Sequence, residues 1–296
     1  MARNYHYLVA GLREYSLDSD TKGFDAVAIR DEIAGGLHAT DREYLREFYL
    51  FYDITNIISF RSGKSTFNPL GNFSREQLEE EIRQPERLPR YIGDVILAYN
   101  SKEKEDKFSE FDETIDTGIP FGKALWTRFY EQCAKSRNGF VRAWYGFDRQ
   151  LRNISAAYTA RKLGREVEPE LVGQDEINTA LARNSSADFG LKGEIDYVDS
   201  LIQILENGNM VEKERQLDLL RWKMADELTD FDYFTMNKIL AYCVKINIIH
   251  RWMSLDARIG NEMFLRLVEE LTGREIVSRA VDAVEGLDNR ARRVKQ

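Results

Sequence analysis

The sequence predicts an all-α protein, and three observations lead there. Apolar residues recur at three- and four-residue intervals along most of the chain, the period of a helix with one buried face. Capping-box signatures, in which Ser or Thr is followed three residues later by Glu or Gln, stand where such runs begin. All five prolines, at 69, 85, 89, 120 and 169, fall outside the strongest helical stretches.

In order along the chain, Thr40 and Glu43 form the first such signature, ahead of EYLREFYLFYDITNIISFR. There Tyr44, Leu45, Phe48, Tyr49, Ile54, Ile57 and Ile58 share a broad apolar face. Ser74 and Gln77 form the second, ahead of REQLEEEIR. RYIGDVILAYN, residues 90–100, has the apolar density of a strand but is read as helix. Pro120 suits the first turn of the next helix, in which Phe121, Leu125, Phe129 and Cys133 recur every four residues. Further helices are expected at about 139–163, 174–183, 193–206, 210–228, 232–252, 259–272 and 275–285. Connectors are expected near 62–74, 84–90, 101–119 and 164–173, and the polar SKEKEDKFSEFDETIDTG reads as a mobile loop and the natural end of a first lobe.

An internal repeat organises these helices. FDRQLRNISAAY (147–158) and FDYFTMNKILAY (231–242) share Phe-Asp, Asn and Ala-Tyr at the same spacing, and Asp53 with Asn56-Ile57 is a looser echo. The expected architecture is therefore three related helical units, 1–110, 111–192 and 193–296, in one continuous chain. Asn56, Asn153 and Asn237, with Asp148 and Asp232, are its repeat positions. A mid-helix Asn is a poor helix former, so each is expected to serve a buried hydrogen bond between helices rather than chemistry.

Motifs for chemistry are scarce. Gly63-Lys64-Ser65-Thr66 resembles the end of a phosphate-binding loop, which needs a first glycine, a buried strand before it and a helix after it. Here Ile58 holds the first-glycine position, a helix precedes, and the turn-forming TFNPLGN follows. Gly63 is read as a helix terminator and no nucleotide is expected. His6, His38 and His250 stand in no metal-binding pattern. No nucleophile elbow is present. Glu194 and Asp196 point to different sides of a helix; Asp196 with Asp199 reads as a helix-start pair favoured by the dipole. Cys133 and Cys243 lie in apolar helical patterns and read as reduced core residues. No catalytic, cofactor-binding or metal-binding residue is assigned, and no cofactor is expected.

Bulk properties agree. With 43% hydrophobic residues among 296, the chain can bury a large core. Its net charge of -8 argues against nucleic acid as a partner. The basic tail, Arg290, Arg292, Arg293 and Lys295, reads as a solvated terminus. No stretch approaches the about 18 apolar residues of a membrane span and the start is no signal peptide, so a cytoplasmic protein is expected.

Four segments carry a resemblance. NYHYLVAGLREYSLD, NISAAYTARKLG, DFGLKGEIDYVDSL and FDYFTMNKILAYCVKINIIHRWMSLD closely resemble an uncharacterised bacterial family encoded within V/A-type ATPase operons. That family is similar in turn to the d-type subunit of V-type ATPases, through the opening YHYLVAGL and the Asp-x-x-Asn-Ile of residues 53–57. In the second and third units the Asp-to-Asn spacing is five rather than three. The d-type subunit is built from three helical units and sits as a socket between the membrane c-ring and the central stalk, where it transmits rotation without catalysis. The resemblance thus implies a non-catalytic coupling or assembly component of a rotary V/A-type ATPase. Its partners would be stalk and c-ring subunits, at the inner face of the membrane and without insertion. The competing expectations are a free-standing helical scaffold and a helical enzyme. An adaptor should expose a large aromatic patch; an enzyme should carry a pocket with convergent titratable groups.

Overall fold

A computed structural model describes residues 4–16, 23–104 and 115–255. The protein is all-α: every regular element among the described residues is helical, and none is a strand. The α-helices are α1 (His6–Gly11), α2 (Ala26–Gly36), α3 (Ala39–Arg61), α4 (Arg75–Arg83), α5 (Arg90–Lys104), α6 (Phe121–Cys133), α7 (Gly139–Lys162), α8 (Glu176–Arg183), α9 (Val198–Glu206), α10 (Met210–Glu227) and α11 (236–255). The chain divides into two compact units, Met1–Asn247 and Ile248–Gln296. Of the second unit, residues 248–255 are described and helical.

The core of the first unit lies where α3, α6 and α7 meet. Leu125 and Phe129 of α6 are wholly buried, as are Tyr49, Ile54 and Ile57 of α3, and burying each such side chain contributes about 1.5–3 kcal/mol. Aromatic rings lock the three helices: Phe51 lies 5.0 Å from Trp126, and Phe129 meets Tyr145 edge-on at 4.7 Å. Tyr145 of α7 donates its hydroxyl hydrogen to the Phe48 carbonyl of α3. On the flanks, Tyr99 of α5 packs edge-on against Phe121, and Phe147 of α7 against Tyr197, the residue before α9.

Helix starts follow local chemistry, with departures that have physical causes. The Ser74 and Gln77 capping box is complete, each side chain bonded to the other's backbone. Thr40 and Glu43 do not form one: α3 begins at Ala39, so Thr40 is already helical, and Glu43 turns to Arg46 at 3.7 Å. The backbone N–H of His38 instead donates to the Tyr5 hydroxyl, which ties the start of α3 to the N-terminal segment. Pro120 immediately precedes α6 rather than lying inside its first turn. The helix expected from 193 starts only at Val198, because Phe189 and Gly190 both adopt positive φ and turns fill the interval. The burial of Phe189 beneath the Arg161 guanidinium, 3.8 Å from the ring centroid, offsets that strain. α1 and α2 are additional helices; α2 is capped by Asp25, which accepts the N–H groups of Val27 and Ala28. The helices expected at 259–272 and 275–285, the centre of the polar connector and the basic tail lie outside the described residues.

Candidate functional site

The repeat positions resolve into one device and several unlike settings. Asn56, buried in the middle of α3, pairs with the loop that follows: its Nδ2 donates to the Asn68 carbonyl at 2.9 Å, and its Oδ1 accepts the Asn68 N–H at 2.7 Å. Asn153, in the middle of α7, does the same with Val172, at 2.9 and 3.0 Å, and its Nδ2 also reaches Asn178 Oδ1 at 2.8 Å. A carboxamide offers one donor edge and one acceptor edge, so it can satisfy both backbone groups of a single residue. The two helices also end alike. Gly63 and Gly164, at φ +72° and +65°, close each helix, with Lys64 N–H on Ser59 O and Arg165 N–H on Ala160 O. Each clamped loop then leads into a short helix with a side-chain cap, Ser74 for α4 and Asp175 for α8.

Asn237 is not a third copy. It is the second residue of α11, not a mid-helix position, and it bonds Asp232 at 3.0 Å and Asn138 at 3.2 Å. Asp148 and Asp232 differ as well. Asp148 is buried in α7 and accepts the Tyr130 hydroxyl at 2.6 Å, while Asp232 precedes α11 and accepts from Thr235 at 2.9 Å. Phe147 is 5% exposed and Phe231 94%, because FDYFT lies in a connector rather than within a helix. The five positions are therefore not gathered at one site. The mid-helix Asn of α11 is Asn247, which sequence reading missed; the Asn-Ile pairs at 56, 153 and 247 were its signal. Its Oδ1 accepts the Tyr49 hydroxyl at 3.2 Å, and its Nδ2 is buried without a hydrogen-bond partner among the described residues.

The loop after α3 is held by side chains of α2 and α3. Arg30 of α2 donates to the carbonyls of Leu70 at 2.9 Å and Gly71 at 2.7 Å. Asp53 accepts the Asn72 backbone N–H at 3.0 Å, its side-chain amide at 2.7 Å and the Phe73 N–H at 3.2 Å. Burial raises the Asp53 carboxyl to about 6 against these donors. Helix precedes Gly63 and loop follows, and Lys64 is exposed.

Two surface features stand out. A groove of about 1170 Å³ runs between α6, the loop after α7 and α8, lined by Lys123, Arg128, Glu131, Glu168, Asp175 and Arg183 among others. Hydroxyls and thiols whose acidity burial suppresses, among them those of Tyr49, Tyr91, Tyr130, Tyr145 and Cys133, lie outside its lining. The second feature is aromatic. Tyr7 of α1 is 97% exposed, and Phe231, Tyr233 and Phe234, between α10 and α11, are 94%, 67% and 38% exposed. These segments join through the Tyr5 N–H on Phe234 O at 2.6 Å and the His6 and Phe234 rings at 4.3 Å. Among the described residues no three His, Cys, Asp or Glu side chains are placed to hold a metal ion, and no helix is long and apolar enough to cross a membrane.

Fold and surface together define a helical protein with clamped return loops and an aromatic outer face. The chain belongs to a family described as a protein of unknown function, DUF2764, which matches residues 1–275. Neither the curated proteins nor the solved structures compared with the chain gave a match.

Proposed function

We propose that this protein is a non-catalytic interaction component, serving the coupling or assembly of a rotary V/A-type ATPase in the manner of the d-type subunit. The exposed aromatic surface of Tyr7, Phe231, Tyr233 and Phe234 carries the reading. Rings of this kind carry on the order of 150–250 Å² each, and at exposures of 97%, 94%, 67% and 38% the four leave roughly 450–750 Å² in solvent, comparable with the largest apolar patch of a soluble monomer. Aromatic residues are enriched in interfaces, where one rigid side chain supplies much area. The resemblance of the four sequence segments supplies the choice of complex, and a three-unit organisation belongs to the same proposal.

The test is capture of the tagged protein from its native host membranes, with the bound proteins identified by mass spectrometry. Near-stoichiometric stalk or c-ring subunits are expected. If the protein is recovered alone while the ATPase stays intact without it, the coupling reading falls. A second reading, a helical enzyme or ligand carrier, draws on the polar groove between α6 and α8. Binding of a small molecule that is lost on replacing Lys123 and Arg183, with partner capture unchanged on replacing Phe231, would favour that reading.

A further inference from the structure

The chemistry around the aromatic surface restricts what it can meet. The segment ADELTDFDYFT, residues 225–235, the end of α10 and the connector after it, holds Asp226, Glu227, Asp230 and Asp232 and no Lys or Arg. Asp226 is paired with Lys245 at 2.6 Å and Glu227 with Lys223 at 3.2 Å. Among the described residues Asp230 is exposed and no ion pair within 4 Å joins it, although the Lys238 ammonium reaches the neighbouring Thr229 hydroxyl at 3.5 Å, and the Asp232 side chain is bonded by the neutral Thr235 and Asn237. Two carboxylates outside any close ion pair therefore alternate with the exposed Phe231 and Tyr233.

That alternation discriminates between occupants. A lipid surface is bound by aromatics flanked with Lys and Arg, and acidic flanks are repelled by anionic headgroups. A second copy across a two-fold axis would bring Asp230 and Asp232 towards their own equivalents, from a chain of net charge -8, and like charges facing each other disfavour that pairing. A partner helix with an apolar stripe edged by Lys or Arg satisfies both components: the rings take the stripe, and the carboxylates take the edge. The geometry points to such a segment of another protein, an apolar helix with a basic rim, as the occupant of the Phe231–Phe234 surface. This rests on the interaction reading above, but not on the identity of the complex.

The probe is a synthetic helical peptide of about 18 residues with Leu on one face and Lys on the other, beside its counterpart with Glu for Lys. Binding to the full chain is measured by calorimetry for the wild type, for Phe231→Ala with Tyr233→Ala, and for Asp230→Lys. These side chains are exposed, so the variants should keep the wild-type circular dichroism and Tm. The Leu/Lys peptide is expected to bind and to weaken at least about tenfold without the two rings. It should weaken several-fold in Asp230→Lys, and the Leu/Glu peptide should not bind. Equal binding of both peptides, or no effect of the ring substitutions, overturns the proposal. So does ring-dependent binding of phosphatidylglycerol vesicles, which would make the surface a lipid face. A dimer in light scattering that is lost with the rings would make it a self-association face and overturns the proposal equally. The outcomes separate from those of membrane capture: peptide binding without ATPase subunits removes the coupling reading and leaves the surface assigned, and capture without peptide selectivity does the reverse.

Discussion

Asn153 sits in the middle of a long helix, where its side chain competes with the backbone and lowers helix propensity. It is compatible with α7 because it closes both hydrogen-bonding groups of Val172. In Asn153→Ala the Val172 N–H loses its acceptor, while the carbonyl keeps the Asn178 amide at 3.1 Å. A destabilisation of about 2–3 kcal/mol is expected in urea unfolding, and about 1–2 kcal/mol for the less buried Asn56→Ala pair. A change below about 0.5 kcal/mol for both would remove the clamp as a stabilising device. Asp53 makes a pH prediction. Its folded pKa of about 6 lies above its ordinary 3.8, so between those values the folded state keeps a proton that the unfolded state has lost. The stability it contributes is thus present below 3.8 and withdrawn as pH rises through about 6. Asp53→Asn lacks this titration. Its stability relative to the wild type should rise by up to about 3 kcal/mol from pH 4 to pH 7 and then level off. A flat difference across that range would refute it. Cys243, raised to about 12 by burial, and Cys133, raised further, should react with a thiol reagent at pH 8 only on unfolding.

For α3 and its return loop, the question is which residues hold the loop and which merely decorate it. Lys64 is exposed, while Gly71 stands so close to the Asp53 carboxylate that an added Cβ would collide with it. Lys64→Ala should therefore leave stability within about 0.5 kcal/mol of the wild type. Gly71→Ala should lower it by about 2–4 kcal/mol, because the displaced group is a buried carboxylate with its donors in place. Thermal and urea unfolding of the two variants check this, and a severe Lys64→Ala defect would reopen the phosphate-loop reading. Among the elements, α3, α6 and α7 were legible in the sequence, since their apolar residues repeat with the helical period. The Ser74 cap was legible because both partners lie within one turn. The false cap at Thr40 shows the limit: the signature was present, but an earlier start tied to Tyr5 took precedence. Glu81 was silent for a related reason. It accepts three N–H groups from Glu86, Arg87 and Leu88, at 2.9 to 3.0 Å, a turn geometry that no residue spacing announces.

Across the whole molecule, a net charge of -8 and an aromatic face flanked by Asp230 and Asp232 act together on association. Steering of a basic partner should make the on-rate fall about tenfold between about 0.02 and 0.2 M salt, with a smaller change in off-rate. Stopped-flow measurement with the Leu/Lys peptide checks this, and a salt-independent on-rate would exclude steering. The helical class, the positions of the long helices, the family and the lack of a phosphate-loop context at Gly63 all follow from the residue order. They rest on local period and local chemistry, which a linear reading can follow. Packing, by contrast, settled that Asn56 and Asn153 close return loops and Asn237 does not, and that Asn247 is the mid-helix Asn of α11. It also sent Phe147 into the core and Phe231 into solvent, although both stand in the same Phe-Asp pattern. The physical reason is that burial is a property of what packs against a residue, and two identical dipeptides differ in fate when one lies within a helix between neighbours and the other in a connector.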